Sequence, residues 1–337
     1  MTAMDKIFRR ILLIKPGAVG DLLQLTPTIR ALKRKFPAAA IDLMVGSAAA
    51  ATMFHGNPSL HETFVFDRDG EHRSLAGFMG LWRRVRSARY DLVVNFQRSN
   101  LKAWLLIAAA LPCRMVIYRK AQGRTVHAVV NHLETTAPLG IDPSAEDLSL
   151  EIWTGPDDDR FASELFSRHG LDGSQVVALN PGASHLVNRW PLEHFARLID
   201  RLSRRNATGI VLIGGGQDQP LADQICGMTT GRPVNLAGKT TITQLAAVLR
   251  DCSLLVSGDT GPMHLATAVN TPVIALFGAA DPSRTGPVGS GHTVLQASDV
   301  GCVPCRSRTC DNEVYLECME KISVDKVYDA IAERLGW

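Results

Sequence analysis

Short apolar runs alternate with amphipathic segments along the first half of the chain. Runs rich in apolar and β-branched residues predict strands at 11–15, 41–45, 63–66, 90–95 and 114–118. Longer amphipathic stretches predict helices at 74–88 and 101–110. A further helix, ended by Pro37, is predicted from apolar residues at helical spacing, namely Leu22, Leu25, Ile29, Leu32 and Phe36. This alternation is typical of a parallel sheet covered by helices on both faces.

A polar, proline-containing stretch at 142–159 interrupts the alternation of strands and helices, and a second, similar alternation follows. Its predicted strands are 176–179, 209–213, 234–236, 254–257 and 272–277, and its predicted helices are 160–167, 191–204, 220–228, 241–252 and 262–269. The sequence therefore predicts the α/β class, with two Rossmann-like, doubly wound parallel-sheet domains over 1–155 and 156–337. Ligands of such sheets bind beyond the carboxyl ends of the strands, so a cleft between two facing domains is the expected site.

The first predicted strand leads into the loop KPGAVGD at 15–21. This loop lacks the GxGxxG spacing of dinucleotide sites, and GxxxxGK[ST] occurs nowhere in the chain. A dehydrogenase and a P-loop ATPase are therefore disfavoured. Asp21 has two open interpretations, because a carboxylate at a helix start either caps the helix or faces the cleft and takes a proton from an acceptor hydroxyl.

The segment VSGDTGPMHLA at 256–266 reads as a strand, a glycine turn and a helix. Backbone N–H groups of Thr260 and Gly261 would point outward at the positive end of the helix dipole, where a diphosphate could bind. Two structural interpretations stay open at this stage: Asp259 only caps the helix, and His264 is only a core histidine.

Charge is distributed unevenly along the chain. Residues 1–150 carry 20 Lys and Arg against 12 Asp and Glu, whereas 151–337 carry 16 against 21. Basic residues without interleaved aromatics argue against nucleic acid and favour an anionic small molecule or an anionic membrane surface. The longest apolar run, 103–111, is roughly half of what spans a bilayer, and the stretch 11–14 is too short for a signal peptide. We therefore expect a cytoplasmic protein.

Three stretches together resemble the lipopolysaccharide heptosyltransferases of glycosyltransferase family nine. They are LLIKPGAVGDLLQLTPTIRALK at 12–33, NPGASHLVNRWP at 180–191 and SGDTGPMHLATAVNTPVIALFG at 257–278. The DTGxxHLA element is specific, while GxxGD alone is weak. The resemblance implies a GT-B fold that transfers heptose from ADP-heptose to the inner core of lipopolysaccharide. Transfer would invert the anomeric carbon and require no catalytic metal or other cofactor.

The resemblance also implies roles for individual residues. Asp21 corresponds to the general base, and Gly17, Gly20 and His127 are expected on the acceptor side. On the donor side, the resemblance points to the turn at 259–264, to the loop at 181–184 and to one ribose contact that is either Gln217 or Asp218. The donor residues are thus Ser184, Arg189, Gln217, Asp218, Asp259, Thr260, Gly261 and His264.

One position departs from the family pattern. Related enzymes usually have a lysine where this chain has Asn188, and Arg189 would have to supply the missing positive charge. This departure favours two alternatives to heptose transfer onto lipopolysaccharide: a family member that uses another nucleotide sugar, and one that uses a protein acceptor. A third alternative is a binding protein that has lost catalysis, which the retention of both Asp21 and the 258–266 element opposes.

Four of the seven cysteines are clustered: Cys302, Cys305, Cys310 and Cys318. Disulfides are disfavoured in the cytosol, and a CxxC pair with two nearby cysteines suits tetrahedral binding of Zn²⁺ or iron. Four thiolates leave no open coordination position, so such a metal would be structural. The alternative is four reduced thiols in a compact loop.

Two charged features have simpler interpretations. The triplet Asp157-Asp158-Asp159 resembles a metal-binding DxD, but it stands before a predicted helix, where carboxylates favour the helix dipole. The basic strip, defined as Arg83, Arg84, Arg86 and Arg89, is by default a solvated face. A phosphorylated lipid acceptor would make it a contact with the anionic inner leaflet of the inner membrane.

Overall fold

The computed structural model describes residues 8–97, 101–119, 121 and 123–337, with backbone alone at 101–103. The chain divides into two compact units, Met1–Trp153 and Thr154–Trp337. This division falls within the polar stretch at 142–159. In the described part of the chain, no helix has the length and apolar character needed to cross a membrane.

The first unit alternates strands and helices from its first described element. In chain order these are β1 (Arg10–Ile14), α1 (Val19–Leu23), α2 (Thr26–Lys35), β2 (Ala40–Val45), α3 (Ala48–Thr52), β3 (Glu62–Val65), α4 (Leu75–Ala88), β4 (Leu92–Asn95), α5 (Leu101–Ala109), β5 (Arg114–Ile117) and α6 (Ala128–Thr136). Within the described residues the five strands are parallel, in the order β3-β2-β1-β4-β5. The central strand β1 is fully buried from Ile11 to Ile14, which explains its unbroken apolar run.

The second unit repeats this architecture. Its elements are α7 (Pro156–Arg168), β6 (Gln175–Asn180), α8 (Leu192–Leu202), β7 (Thr208–Leu212), α9 (Gln219–Met228), β8 (Val234–Asn235), α10 (Ile242–Asp251), β9 (Leu254–Gly258), α11 (Gly261–Ala268), β10 (Val273–Phe277), α12 (Pro282–Thr285), β11 (Thr293–Gln296), α13 (Glu317–Glu320) and α14 (Val324–Leu335). The strands are again parallel where described, in the order β11-β10-β9-β6-β7-β8. Trp190 anchors this core: its ring packs edge-on against Phe195, and its Nε1 donates to the carbonyl oxygen of Ile322 at 2.7 Å.

All ten predicted strands are confirmed, but the single helix predicted after residue 20 is wrong. The structure has two helices there, α1 and α2, separated at Gln24 and Leu25. Pro27 is the second residue of α2, where a missing N–H costs nothing, whereas inside one continuous helix it would remove a hydrogen bond. The sequence analysis also missed β11 and α14, the last strand and the last helix.

The aspartate triplet lies in the first turn of α7, which confirms its interpretation as a helix start. Asp158 accepts from the backbone N–H of Gly155 at 2.9 Å and from Thr243 Oγ1 at 2.9 Å. Asp159 accepts from Thr154 and from Arg250, and these hydrogen bonds hold its pKa below the usual range. The carboxylates of Asp158 and Asp159 therefore accept hydrogen bonds from residues of their own unit.

Each sheet reverses its strand order at one point. In the first sheet β1 lies between β2 and β4, and in the second β6 lies between β7 and β9. At such a switch point the following helices depart to opposite faces and leave a crevice beyond the carboxyl ends of the strands. The loop after β1 begins at one of these points, and the loops after β6 and β9 begin at the other.

Among the described residues of the first unit, one carboxylate is buried, that of Asp42 on β2, which is 1% exposed. It accepts a hydrogen bond from the Tyr90 hydroxyl at 2.7 Å, lies 2.9 Å from His61 Nδ1 and pairs with Arg10 at 3.5 Å. Burial, and then the hydrogen bond to Asp42, raise the pKa of Tyr90 above its usual range. The hydroxyl of Tyr90 therefore stays protonated and keeps donating to the buried charge.

We predict that Tyr90→Phe lowers the free energy of unfolding of the first unit by about 1–3 kcal/mol, because a buried carboxylate oxygen loses its donor. Urea unfolding followed by circular dichroism measures the change. Tyr315→Phe, at an exposed tyrosine, is the matched control and should leave the midpoint unchanged. Equal midpoints for Tyr90→Phe and the wild-type chain would contradict the prediction.

Candidate active site

The turn between β9 and α11 exposes backbone amides at a helix N-terminus. Thr260 is the N-cap residue of α11 and accepts no capping hydrogen bond with its side chain. Pro262 follows Gly261 in the first turn and has no N–H, so the first turn can donate only through residues such as Gly261 and Met263. This arrangement favours an anion, because the N–H groups and the helix dipole act together.

Asn180, the last residue of β6, connects the two loops of this switch point. Its buried amide nitrogen lies 3.0 Å from both Ser257 Oγ and Thr260 Oγ1, and 3.2 Å from the carbonyl oxygen of Gly182. Ser257 and Thr260 hydroxyls are themselves 2.9 Å apart. Sequence reasoning assigned Asn180 no role. The only available signal was a polar residue at the end of an apolar strand.

The N-cap residue of α11 is Thr260, and Asp259 stands one position before it. Its Oδ2 accepts from Thr285 Oγ1 at 2.9 Å, and its Oδ1 lies 4.0 Å from Nε2 of the buried His264. The carboxylate is thus fixed by residues from α11 and α12. Asp259, Thr260, Gly261 and His264, predicted as one donor group, lie together here.

The loop after β6 lies beside the same turn. Ser184 is exposed, and Arg189 is half-buried with its Nε donating to the carbonyl oxygen of Ala183 at 2.9 Å. The backbone of Asn188 approaches the turn closely: a Cβ added to Gly258 would stand 2.5 Å from the Asn188 carbonyl oxygen. Glycine at 258 is therefore required by close contact between the two loops.

The two candidates for the ribose contact differ in burial. Asp218 is 7% exposed, its Oδ2 accepts from the Gly215 N–H at 2.9 Å, and its side chain fills the space in front of Gly182. Its Oδ1 is buried without a hydrogen-bond partner among the described residues. Gln217 is exposed at the same strand end. Asp218 is thus buried against its own loop, whereas Gln217 is exposed.

In the first unit, Asp21 lies in the first turn of α1 at the carboxyl end of β1. The N-cap residue is Ala18, so Asp21 does not cap the helix. Its side chain is 52% exposed, and Oδ1 lies 3.5 Å from Lys15 Nζ. A Cβ at Gly17 would stand 2.9 Å from the Cβ of Asp21, which explains that glycine, while Gly20 is buried within α1.

His127, predicted on the acceptor side, has a structural contact. It is the N-cap residue of α6, and its Nδ1 accepts from the backbone N–H of Val129 at 3.3 Å. Asn131, one turn later, accepts from the backbone N–H of Ala121 at 3.0 Å. This stretch therefore fixes the described part of the loop after β5.

The four clustered cysteines line one cavity of about 210 Å³. Burial raises the pKa of the Cys318 thiol, and repulsion from the other three cysteines raises it further. The predicted arrangement around one metal is not found, however. Cys302 and Cys305 are exposed while Cys318 is buried, and across the residues that the structure describes no three His, Cys, Asp or Glu side chains are placed to hold a metal ion.

The basic strip on α4 is partly used within its own unit. Arg84 pairs with Glu62 at 2.6 Å and lies over the Phe64 ring, and Arg86 donates to the carbonyl oxygen of Leu111. Apolar side chains are exposed on α5, on β5 and between the two, namely Trp104, Leu105, Leu111 and Met115. Arginines and exposed apolar side chains therefore occur together in this unit.

Comparison with known proteins places these observations in a family. The family model described as glycosyltransferase family 9 (heptosyltransferase) matches residues 78–316. Lipopolysaccharide heptosyltransferase 3 of Escherichia coli is 28% identical, over 93% of this chain and 96% of its own length. The crystal structure of a family 9 glycosyl transferase from Veillonella parvula is 25% identical and superposes with a TM-score of 0.87, covering 99% of each chain.

Two more distant structures share the fold. Heptosyltransferase WaaC of E. coli, solved with ADP, is 19% identical with a TM-score of 0.72, covering 96% of this chain and 99% of its own. The dodecameric iron-containing heptosyltransferase TibC, in complex with ADP-D-beta-D-heptose, is 14% identical with a TM-score of 0.62, covering 98% and 77%. These likenesses confirm the predicted GT-B class. The chain belongs to glycosyltransferase family 9, the heptosyltransferase family.

Proposed function

We propose that this chain transfers heptose from ADP-L-glycero-D-manno-heptose to the inner core of lipopolysaccharide. The observation that carries the proposal is the turn between β9 and α11, where an uncapped helix N-terminus stands beside the loop after β6. Asn180 fixes the distance between the two through its contacts with Thr260 and the Gly182 carbonyl. Backbone amides held in this way suit the diphosphate of a nucleotide sugar.

The donor site would act on the leaving group. As the bond between the anomeric carbon and the diphosphate oxygen breaks, negative charge grows on the diphosphate. Preorganised N–H donors stabilise this charge more in the transition state than in the ground state. Such stabilisation requires no catalytic metal or other cofactor. Ser184 and Arg189 would add a hydroxyl and a positive charge from the neighbouring loop, and Gln217 would contact the ribose.

Asp21 would act as the general base. Its carboxylate takes the proton of an acceptor hydroxyl while the hydroxyl oxygen attacks the anomeric carbon from the face opposite the diphosphate. One carbon–oxygen bond forms, the other breaks, and the configuration at that carbon inverts. The half-exposed side chain and the absence of a capping role support this assignment. Gly17, Gly20 and His127 would shape the acceptor side.

A related enzyme that uses another nucleotide sugar is the second candidate. The observation that favours it is Asn188, which is uncharged where the family usually has lysine, and the Nε of the adjacent Arg189 is engaged by the Ala183 carbonyl. A protein acceptor is a further variant of this candidate. Retention of the half-exposed Asp21 opposes a role in binding alone.

We infer that Cys302, Cys305, Cys310 and Cys318 hold a structural iron or zinc ion. All four line one cavity, and the backbone N–H of Leu316 donates to Cys310 Sγ at 3.3 Å. The exposed Cys302 and Cys305 would have to turn toward Cys318 to complete the site. The iron of TibC supports the inference. The ion, when bound, would cross-link this loop.

We infer further that the first unit contacts the anionic inner leaflet of the inner membrane through the basic strip and the exposed apolar side chains near it. Trp104, Leu105 and Leu111 would enter the headgroup region, and arginines would pair with anionic lipids. This contact would bring the chain to a lipid-linked acceptor.

We predict that Asp21→Asn lowers kcat roughly 10²- to 10⁴-fold, because the amide cannot take the proton, while ADP-heptose still binds. Mass spectrometry of heptose-deficient lipopolysaccharide measures transfer, with and without EDTA, and EDTA should leave the rate unchanged. Asp329→Asn, at an exposed aspartate, should retain full activity. Absence of product with the wild-type chain would refute heptosyl transfer, and full activity of Asp21→Asn would refute the base alone.

Protein purified without oxygen should contain about one iron or zinc ion per chain, because four thiolates complete one tetrahedral site. Elemental analysis by mass spectrometry measures the content. The double variant Cys302→Ser/Cys305→Ser should lose the ion, whereas Cys113→Ser/Cys226→Ser should keep it. A metal-free wild-type chain, or unchanged content in the first variant, would rule out the site.

Replacing basic residues of the strip should lower transfer to acceptor embedded in phosphatidylglycerol vesicles, because electrostatic attraction to the lipid surface is lost. The variant Arg83→Glu/Arg89→Asn is suitable, since Arg89 has a left-handed φ of 52° that asparagine accepts. Arg197→Glu/Arg204→Asn changes the charge equally in the second unit and should have no effect. Equal loss on a short soluble acceptor would reject membrane contact.

A further inference from the structure

A buried polar pair, Lys15 and His132, lies next to the proposed base. Lys15 immediately follows β1 and is 9% exposed, and His132 on α6 is 3% exposed. Lys15 Nζ is 3.3 Å from His132 Nε2 and 3.5 Å from Asp21 Oδ1. The ammonium group therefore stands between a buried imidazole and a half-exposed carboxylate. The proposed reaction has so far used neither Lys15 nor His132.

The partners of His132 determine its protonation. Its Nδ1 lies 3.2 Å from the carbonyl oxygen of Gln24, which can only accept, so Nδ1 carries the proton. Its Nε2 faces an ammonium group, which can only donate, so Nε2 has a free lone pair and the ring is neutral. Burial, and then the charge of Lys15, lower the pKa of His132 to about 4, in agreement with this geometry.

The orientation of the His132 ring is also fixed. Phe96, just after β4, packs edge-on against it with ring centroids 5.7 Å apart, and Tyr118, just after β5, packs at 5.8 Å. Three adjacent strand ends thus contribute to one arrangement, since Lys15 follows β1. Nε2 of the neutral His132 ring, held in this way, accepts a hydrogen bond from Lys15 Nζ and so fixes the orientation of the ammonium group.

Stability alone does not account for this pair. Burial of an ammonium group is costly, and an ion pair with a half-exposed carboxylate returns little of that cost. Apolar side chains of similar size would fill the same space without it. Gly17 leaves room for Lys15 and Asp21, because a Cβ there would stand 3.2 Å from Lys15 Cε and 3.3 Å from Asp21 Oδ2.

We propose that Lys15, aligned by neutral His132, is a positioning residue for Asp21. The ammonium group attracts Oδ1 and so selects one orientation of a side chain that would otherwise sample several. Oδ2 then remains available to the acceptor hydroxyl. The inference rests on the proposed function, because it assigns a purpose to the orientation of the proposed base.

Two replacements of His132 separate positioning from packing. In His132→Gln the side-chain oxygen can accept from Lys15 in place of Nε2, whereas in His132→Asn the amide can donate to the Gln24 carbonyl in place of Nδ1 but does not reach Lys15. We expect His132→Asn and Lys15→Met each to lower kcat roughly tenfold to a hundredfold, with KM for ADP-heptose unchanged. His132→Gln should retain most of the activity.

A double-mutant cycle completes the test. If His132 acts through Lys15, Lys15→Met/His132→Asn has the same kcat as Lys15→Met alone, whereas independent effects would multiply. His169→Asn, at an exposed histidine of the second unit, is the control, and thermal unfolding shows that each variant folds. Multiplying losses, or equal loss in His132→Gln and His132→Asn, would overturn the inference.

The two proposals fail differently. If the wild-type chain transfers heptose, Asp21→Asn does not, and Lys15→Met is fully active, then only the positioning role is overturned. If the wild-type chain transfers no heptose to the lipopolysaccharide acceptor, the proposed function is overturned, and the positioning role with it. A loss confined to KM in Lys15→Met would also contradict positioning, because it would indicate a role in binding.

Discussion

Both units depend on one constraint: a parallel sheet must bury both of its faces. Each strand is therefore followed by a helix that crosses one face, and all strand carboxyl ends and helix N-termini meet at one edge. In the first unit this edge holds Lys15 and Asp21, and in the second it holds Asn180 and Thr260. The same packing requirement that makes the strands apolar thus places the polar loops together.

The sequence was sufficient to predict features that depend on neighbouring residues. Apolar runs such as 11–15 and 254–257 predicted buried strands, because a strand covered on both faces has few polar positions. The break between α1 and α2 was missed because Leu22 to Phe36 keep helical spacing across it, and only Pro27 indicated a new start. β11 was missed because none of its four positions is fully buried, three being partly buried and one exposed, so its pattern resembles a loop.

Side-chain contacts between distant residues could not be predicted in the same way. His132 meets Lys15 across 117 positions of sequence, and Asn180 meets Thr260 across 80. Asp218 was indistinguishable from Gln217 because neither burial nor the open space at Gly182 is visible in the sequence. For the cysteines the spacing predicted a compact cluster, with or without a metal ion, but which thiols are exposed depends on the path of the loop.

The contact between Gly258 and Asn188 has a consequence for how this family can change. Gly258 in the turn contacts the backbone carbonyl oxygen of residue 188, an atom that every amino acid has. The side chain at position 188 is half-buried. Exchange of that side chain therefore leaves the contact with the turn intact. Gly258 is fixed by sterics, whereas position 188 is free to vary, and charge beside the helix N-terminus can be gained or lost in one mutational step without refolding the domain.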